Sequence, residues 1–222
     1  MVTTAVIWDF GGVLTTSPFE AFERYERARA LPVGYLRAIN AADPDANAWA
    51  KFERAEIDAA AFDTLFLAES TARGHPVPGR DVLPLLSGEI RPAMVAALKA
   101  CKERFKVGCI TNNLASGRGA GMAASEAARC KVAEVMSLFD ALIESSKAGV
   151  RKPDPAIYRM MCDRLGVRPQ DCIYLDDLGI NCKPAAALGM TAIKVVSEAQ
   201  TLADLARLTG LDLADARLEM SA

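Results

Sequence analysis

Apolar side chains in this chain cluster in short dense runs separated by stretches of helix-like composition. Runs of strand length fall at residues 4–9, 106–111, 141–144, 172–176 and 191–196. They are apolar on both alternating faces, which predicts strands covered by helices on both sides of a sheet. Helix-like composition fills 91–104, 116–138, 155–165 and 183–188, and an amphipathic stretch at 201–208 closes the chain. Strands alternating with helices predict right-handed βαβ units, and hence an α/β, Rossmann-like, mainly parallel sheet.

Residues 17–90 break this rhythm, for they contain no convincing strand by alternation or by apolar run. Residues 18–30 read as a helix with Ser17 as N-cap and Pro18 at its first position. Residues 49–56 and 58–73 read as further helices, and 74–79 as a turn-rich connector. The expected organisation is an α/β core made of residues 1–16 and 91–222. An all-helical cap, residues 17–90, would be inserted after the first strand and lie over the sheet's C-terminal edge.

Composition narrows the class. The 222 residues are 51% hydrophobic and 24% charged, with a net charge of −2, ordinary for a globular protein. Such a balance creates no field for nucleic acid or an anionic membrane. No apolar run reaches transmembrane length. The first residues lack the pattern of a signal peptide. Six cysteines show no CxxC pair and no histidine at zinc spacing. Cys109 and Cys172 sit within apolar runs as small hydrophobes. A reduced, cytoplasmic protein is the expectation.

Polar residues then gather at the ends of the strand runs. Asp9 follows the first and precedes Gly11 and Gly12. Thr111, Asn112 and Asn113 end the second. Lys152 precedes a Pro-Asp-Pro turn, and Asp176 and Asp177 end the fourth run ahead of Asn181. In a parallel sheet such ends converge on one edge, where open α/β sheets bind ligands. Carboxylates at Asp9 and Asp177 suit a hard divalent cation, most naturally Mg²⁺. Thr111 and nearby amides suit phosphate oxygens, and Lys152 suits both the phosphate and the crowded acids. Asp9 is then placed to attack phosphorus.

These four ordered motifs resemble the haloacid dehalogenase superfamily, in the subgroup with a helical cap after the first motif. The likeness covers essentially the whole chain, and is nearest to relatives of the N-terminal phosphatase domain of soluble epoxide hydrolase. Residues 49–57, 151–158 and 175–190 resemble that subgroup in particular. The resemblance implies that Asp9 is the nucleophile, Thr111 the phosphate binder with Asn112 beside it, and Lys152 the motif-three lysine. It implies Mg²⁺ held by Asp9, the Gly11 carbonyl and Asp177, with Asp176 adjacent and Asn181 supporting the metal shell. The substrate would be a small phosphorylated molecule.

Gly11 departs from the pattern, because phosphatases of the family usually carry a second Asp two residues after the nucleophile. A glycine cannot supply general acid–base help, typically worth about 10²–10⁴ in rate. Three readings stay open: a phosphatase whose substrate, cap or leaving group supplies the proton; a weak or inactive phosphate-binding module; and a dehalogenase or phosphonate-cleaving hydrolase, the last using a cap lysine such as Lys51. Glu53, Glu56 and His75 are the candidate replacement acids. Trp49 with Phe52 reads as core more readily than as pocket lining. The glycine-rich stretch 117–121 reads as a loop near the site entrance.

Overall fold

The computed structural model describes residues 2–114 and 125–213. Five strands form one parallel sheet: β1 (Ala5–Trp8), β2 (Lys106–Thr111), β3 (Ala141–Glu144), β4 (Cys172–Asp176) and β5 (Thr191–Lys194), in the order β3-β2-β1-β4-β5. The architecture is the expected Rossmann-like α/β fold. The chain builds outward from β1 to β2 and β3, then crosses back to β4 on the other side. The ends of β2, β1 and β4 therefore lie side by side at the switch in strand order, where a crevice opens.

Alternation in β1 explains the double layering. Val6 and Trp8 pack into one hydrophobic cluster with Val107, Cys109, Ile173 and Leu175. Ala5 and Ile7 face the opposite cluster with Ile110, Tyr174 and Tyr158. Every residue of β1 is buried. Helices α6 (Pro92–Lys102), α7 (Glu126–Met136), α8 (Ser145–Ala148), α9 (Pro155–Leu165), α10 (Gly179–Ala187) and α11 (Glu198–Thr209) surround the sheet.

Between β1 and β2 lie α1 (Phe19–Ala28), α2 (Tyr35–Ala41), α3 (Ala48–Glu53), α4 (Ala59–Ala72) and α5 (Gly79–Val82), followed by the 3-10 turn Leu83–Leu86. They enclose a core of their own, in which Trp49, Phe52, Phe62 and Phe66 pack ring against ring. The chain enters and leaves this lobe through one paired neck. Thr16 N–H donates to the Glu89 carbonyl (2.8 Å) and Arg91 N–H to the Leu14 carbonyl (2.9 Å).

Several expectations shift at element ends. Ser17 does not cap α1 as anticipated. Pro18 holds the N-cap position, and the Ser17 hydroxyl instead bridges, at 3.5 Å each, the Phe19 N–H and Asp177. α2 has no signal in its own sequence, since it follows Gly34 with no capping side chain. The carboxylate of Glu26 accepts from Gly34 N–H and Leu36 N–H, each at 2.8 Å, and caps it from a distance. α10 starts at Gly179, four residues before the expected stretch 183–188, and Pro184 lies inside it. α7 starts at Glu126 with Ser125 as cap, and 116–124 lies outside the described residues, as does the 117–121 loop. Among the described residues no helix is long and apolar enough to cross a membrane.

Gly108 shows how tightly the layers meet. A Cβ there would lie 2.6 Å from Met161 Sδ and 3.1 Å from Leu165 Cδ1, both on α9. Gly108→Val should destabilise the protein by about 1–3 kcal/mol through overpacking, read as a lower urea midpoint. An unchanged midpoint would mean α9 yields freely.

Candidate active site

Asp9 extends β1 by one residue, its N–H donating to the Leu175 carbonyl at 2.8 Å. Its Oδ1 accepts from Phe10 N–H at 2.6 Å and lies 2.7 Å from Lys152 Nζ. Lys152 is 1% exposed and reaches Asp176 Oδ2 at 2.9 Å. Burial works against this ammonium, but the two carboxylates outweigh it and raise its pKa. Lys152 is therefore a charged, fully buried bridge between the ends of β1 and β4.

Asp176 is filled with donors. Besides Lys152, its oxygens accept from Tyr174 Oη, from Leu178 N–H at 2.8 Å and from Asn181 Nδ2 at 3.1 Å to each oxygen. Tyr158 Oη in turn donates to the Asn181 carbonyl at 2.8 Å. These bonds account for the early start of α10: its first turn is seated on a buried carboxylate, as a helix N-terminus favours. Asp9, Asp176 and Asp177 each offer an oxygen within 4.8 Å of the others'. Burial, then Asp176, pushes Asp177 up to about 6. Burial also raises Asp9, against the pull of Lys152 and with Asp176 and Asp177 adding to it.

Three carboxylates around one ammonium leave a formal charge of −2 when all are ionised. Asp177 receives only a long hydrogen bond from another side chain, Ser17 at 3.5 Å, and Asp9 Oδ2 has no hydrogen-bond partner among the described residues. Oxygen donors, excess negative charge and uncommitted lone pairs suit a hard divalent cation. The turn after Asp9 is shaped around this cluster. Gly12 has φ +78°, and a Cβ there would stand 2.2 Å from Asp177 Oδ2. Gly11 is the opposite case: nothing lies within 4 Å of where its Cβ would be.

Thr111 ends β2 at 4% exposure, its hydroxyl without a hydrogen-bond partner among the described residues. The side chain of Asn112, expected beside the phosphate, is engaged with the main chain of Lys152. Its Oδ1 accepts from Lys152 N–H (2.9 Å) and its Nδ2 donates to the Lys152 carbonyl (3.0 Å), so it clamps the lysine's main chain. Asn113 braces the neighbouring loop through Glu144, Ser145 and Ser146. Glu53 on α3, one candidate acid, is buried against this clamp. It lies 2.5 Å from Arg151 Nε and 3.3 Å from Asn112 Nδ2. Arg151 also donates to the Pro44 carbonyl at 2.7 Å. Burial raises the Glu53 pKa, against the pull of Arg151. Glu56 is exposed and paired with Arg54, and His75 stacks edge-on with Tyr35 inside the helical lobe. Lys51 is half-buried on α3, and Trp49 and Phe52 belong to the lobe's core.

The haloacid dehalogenase-like hydrolase model matches residues 3–189. The chain belongs to this family. It is 31% identical over 94% of its length to acyl-CoA dehydrogenase family member 10 of Mus musculus, and 29% identical over 98% to bifunctional epoxide hydrolase 2 of the same organism. It spans only 19% and 41% of those relatives. Phosphatase MT3486 of Mycobacterium tuberculosis is 27% identical, with 90% of this chain and 91% of that one covered. Among solved structures, a haloacid dehalogenase family enzyme of Bacteroides thetaiotaomicron, complexed with magnesium and inorganic phosphate, shares the fold at TM-score 0.56. Identity is 19%, over 86% of this chain and 93% of that one.

Tyr174, Arg151 and Gly12 are the contributors to this hydrolase's site that motif reading missed. Arg151, beside Lys152, was the most accessible of them. Lys152→Met would leave buried Asp9 and Asp176 without a counter-charge, a loss of about 3–5 kcal/mol in urea unfolding at pH 7. The loss should narrow as pH falls, because the crowded carboxyls bind protons in the folded state. A loss that is small, or constant with pH, would show that Lys152 does not hold the cluster.

Proposed function

We propose that the protein is a Mg²⁺-dependent phosphatase of small phosphorylated molecules, working through an aspartyl phosphate at Asp9. The observation that carries this reading is the net negative carboxylate cluster beside a buried, charged Lys152. The phosphatase relative of similar length supports it. Asp9, Asp177 and the Gly11 carbonyl would hold Mg²⁺, with Asp176 adjacent, pairing with Lys152, and Asn181 supporting the shell through its bonds to Asp176. When bound, Mg²⁺ supplies positive charge to phosphate oxygens and offsets their repulsion from the carboxylates. Helices 17–90 serve as the cap over a core of 1–16 and 91–222.

In this mechanism the Asp9 carboxylate attacks phosphorus as the bond to the leaving oxygen breaks. Lys152 neutralises Asp9 and the incoming phosphate. Thr111 donates its hydroxyl to a phosphate oxygen, and Asn112 contributes through its main chain and its grip on Lys152. Water then cleaves the acyl phosphate and restores Asp9. With Gly11 at the acid–base position, the leaving group departs unprotonated or takes its proton from solvent. Acyl and aryl phosphates are therefore the favoured substrates. A second reading, a phosphate-binding module with little turnover, is favoured by Gly11 alone. A dehalogenase needs no metal, so the charge left around Lys152 counts against it.

Asp9→Asn should abolish Mg²⁺-dependent hydrolysis of para-nitrophenyl phosphate and acetyl phosphate, and retained activity would remove Asp9 as nucleophile. Gly11→Asp has room for its side chain. It should raise turnover of simple alkyl phosphates by about 10²-fold or more, measured as phosphate release. No gain would show that another group already supplies the proton.

A further inference from the structure

A cavity of about 310 Å³ abuts the carboxylate cluster through Asp177 and Gly12. It opens between the helical lobe, represented by Ser17, Phe19 and Arg37, and the core, represented by Arg91 and Lys194. Its size is at the small end of ligand sites, enough for a short metabolite and not for a nucleotide. Three cationic side chains line it, with Asp177 as the acidic wall. Arg91 is fixed, donating to the Gly12 carbonyl at 3.0 Å and lying 3.6 Å from Glu198. Arg37 is held over the Phe19 ring, 4.2 Å from its centre, which orients its guanidinium at low entropic cost. Among the described residues, neither Arg37 nor Lys194 is ion-paired with a carboxylate.

We infer that this cavity is a subsite for a second anionic group on the substrate, a carboxylate or a further phosphate, borne on a chain of a few carbons. The inference rests on the phosphatase reading for its orientation. The cavity shares Asp177 and Gly12 with the turn and carboxylates around Asp9, so it is the space beside the cluster that the remote end of a short substrate would occupy. The charges agree with this role. The carboxylate cluster alone repels an anionic substrate, whereas a cationic mouth draws one in and binds its far end. Arg37 comes from the lobe, and Arg91 and Lys194 from the core. A second anion spanning them would bridge both sides. Arg37 and Lys194 are thus assigned as specificity residues.

The test uses two compounds matched in length, 3-carboxypropyl phosphate and n-butyl phosphate, with the full chain and Mg²⁺. The carboxylated compound should show a KM about five- to tenfold lower, as expected for one or two partly exposed charge-assisted bonds. Joint Arg37→Ala and Lys194→Ala replacement should bring the ratio towards one, and Arg37→Glu should invert it. Both side chains are exposed, so folding is retained. The same pair is measured by equilibrium binding to Asp9→Asn with Mg²⁺. A carboxylate preference in binding without phosphate release by the wild type would sink the phosphatase reading and keep the subsite. Equal affinities, no measurable binding of the carboxylated compound, or a preference that survives both replacements would overturn the subsite.

Discussion

A buried ammonium needs partners, and the candidate site is arranged around that requirement. Lys152 lies inside the protein between Asp9 and Asp176, where an unpaired charge would be intolerable. Meeting its need fixes the ends of β1 and β4 to one another and to the loop before α9. Asp176 becomes a hub for Tyr174, Leu178 and Asn181, and so sets where α10 begins. One charge thereby aligns three separate segments of the core.

The same network extends into the helical lobe. Asn112 grips the main chain of Lys152, and Glu53 touches both Asn112 and Arg151. Movement of α3 away from the sheet would break contacts to the residues that present the lysine. The paired neck at 14–16 and 89–91 joins the lobe to the core where the chain passes between them. The position of α3 and the presentation of the lysine are therefore physically linked.

Two adjacent glycines carry opposite meanings. Gly12 is required by its positive φ and by the carboxylate pressed against it. Gly11 is required by neither, since a side chain there would meet open space. The missing acid is thus a chemical choice and not a packing necessity.

Much of the fold was legible in the chain itself. Five apolar runs became five strands in a parallel sheet, because strands with helices between them pair side by side and the central ones are buried on both faces. Asp9, Thr111, Lys152 and Asp177 stood out because chemistry in such sheets sits at strand ends. Tertiary structure decided what those residues touch. The helix α2 is capped by Glu26 from another helix, α10 starts early because a buried carboxylate seats it, and the Asn112 side chain turns to a main chain 40 residues away. Local sequence records which groups are available. Their partners come from segments far apart in the chain, and only folding brings those within hydrogen-bonding distance.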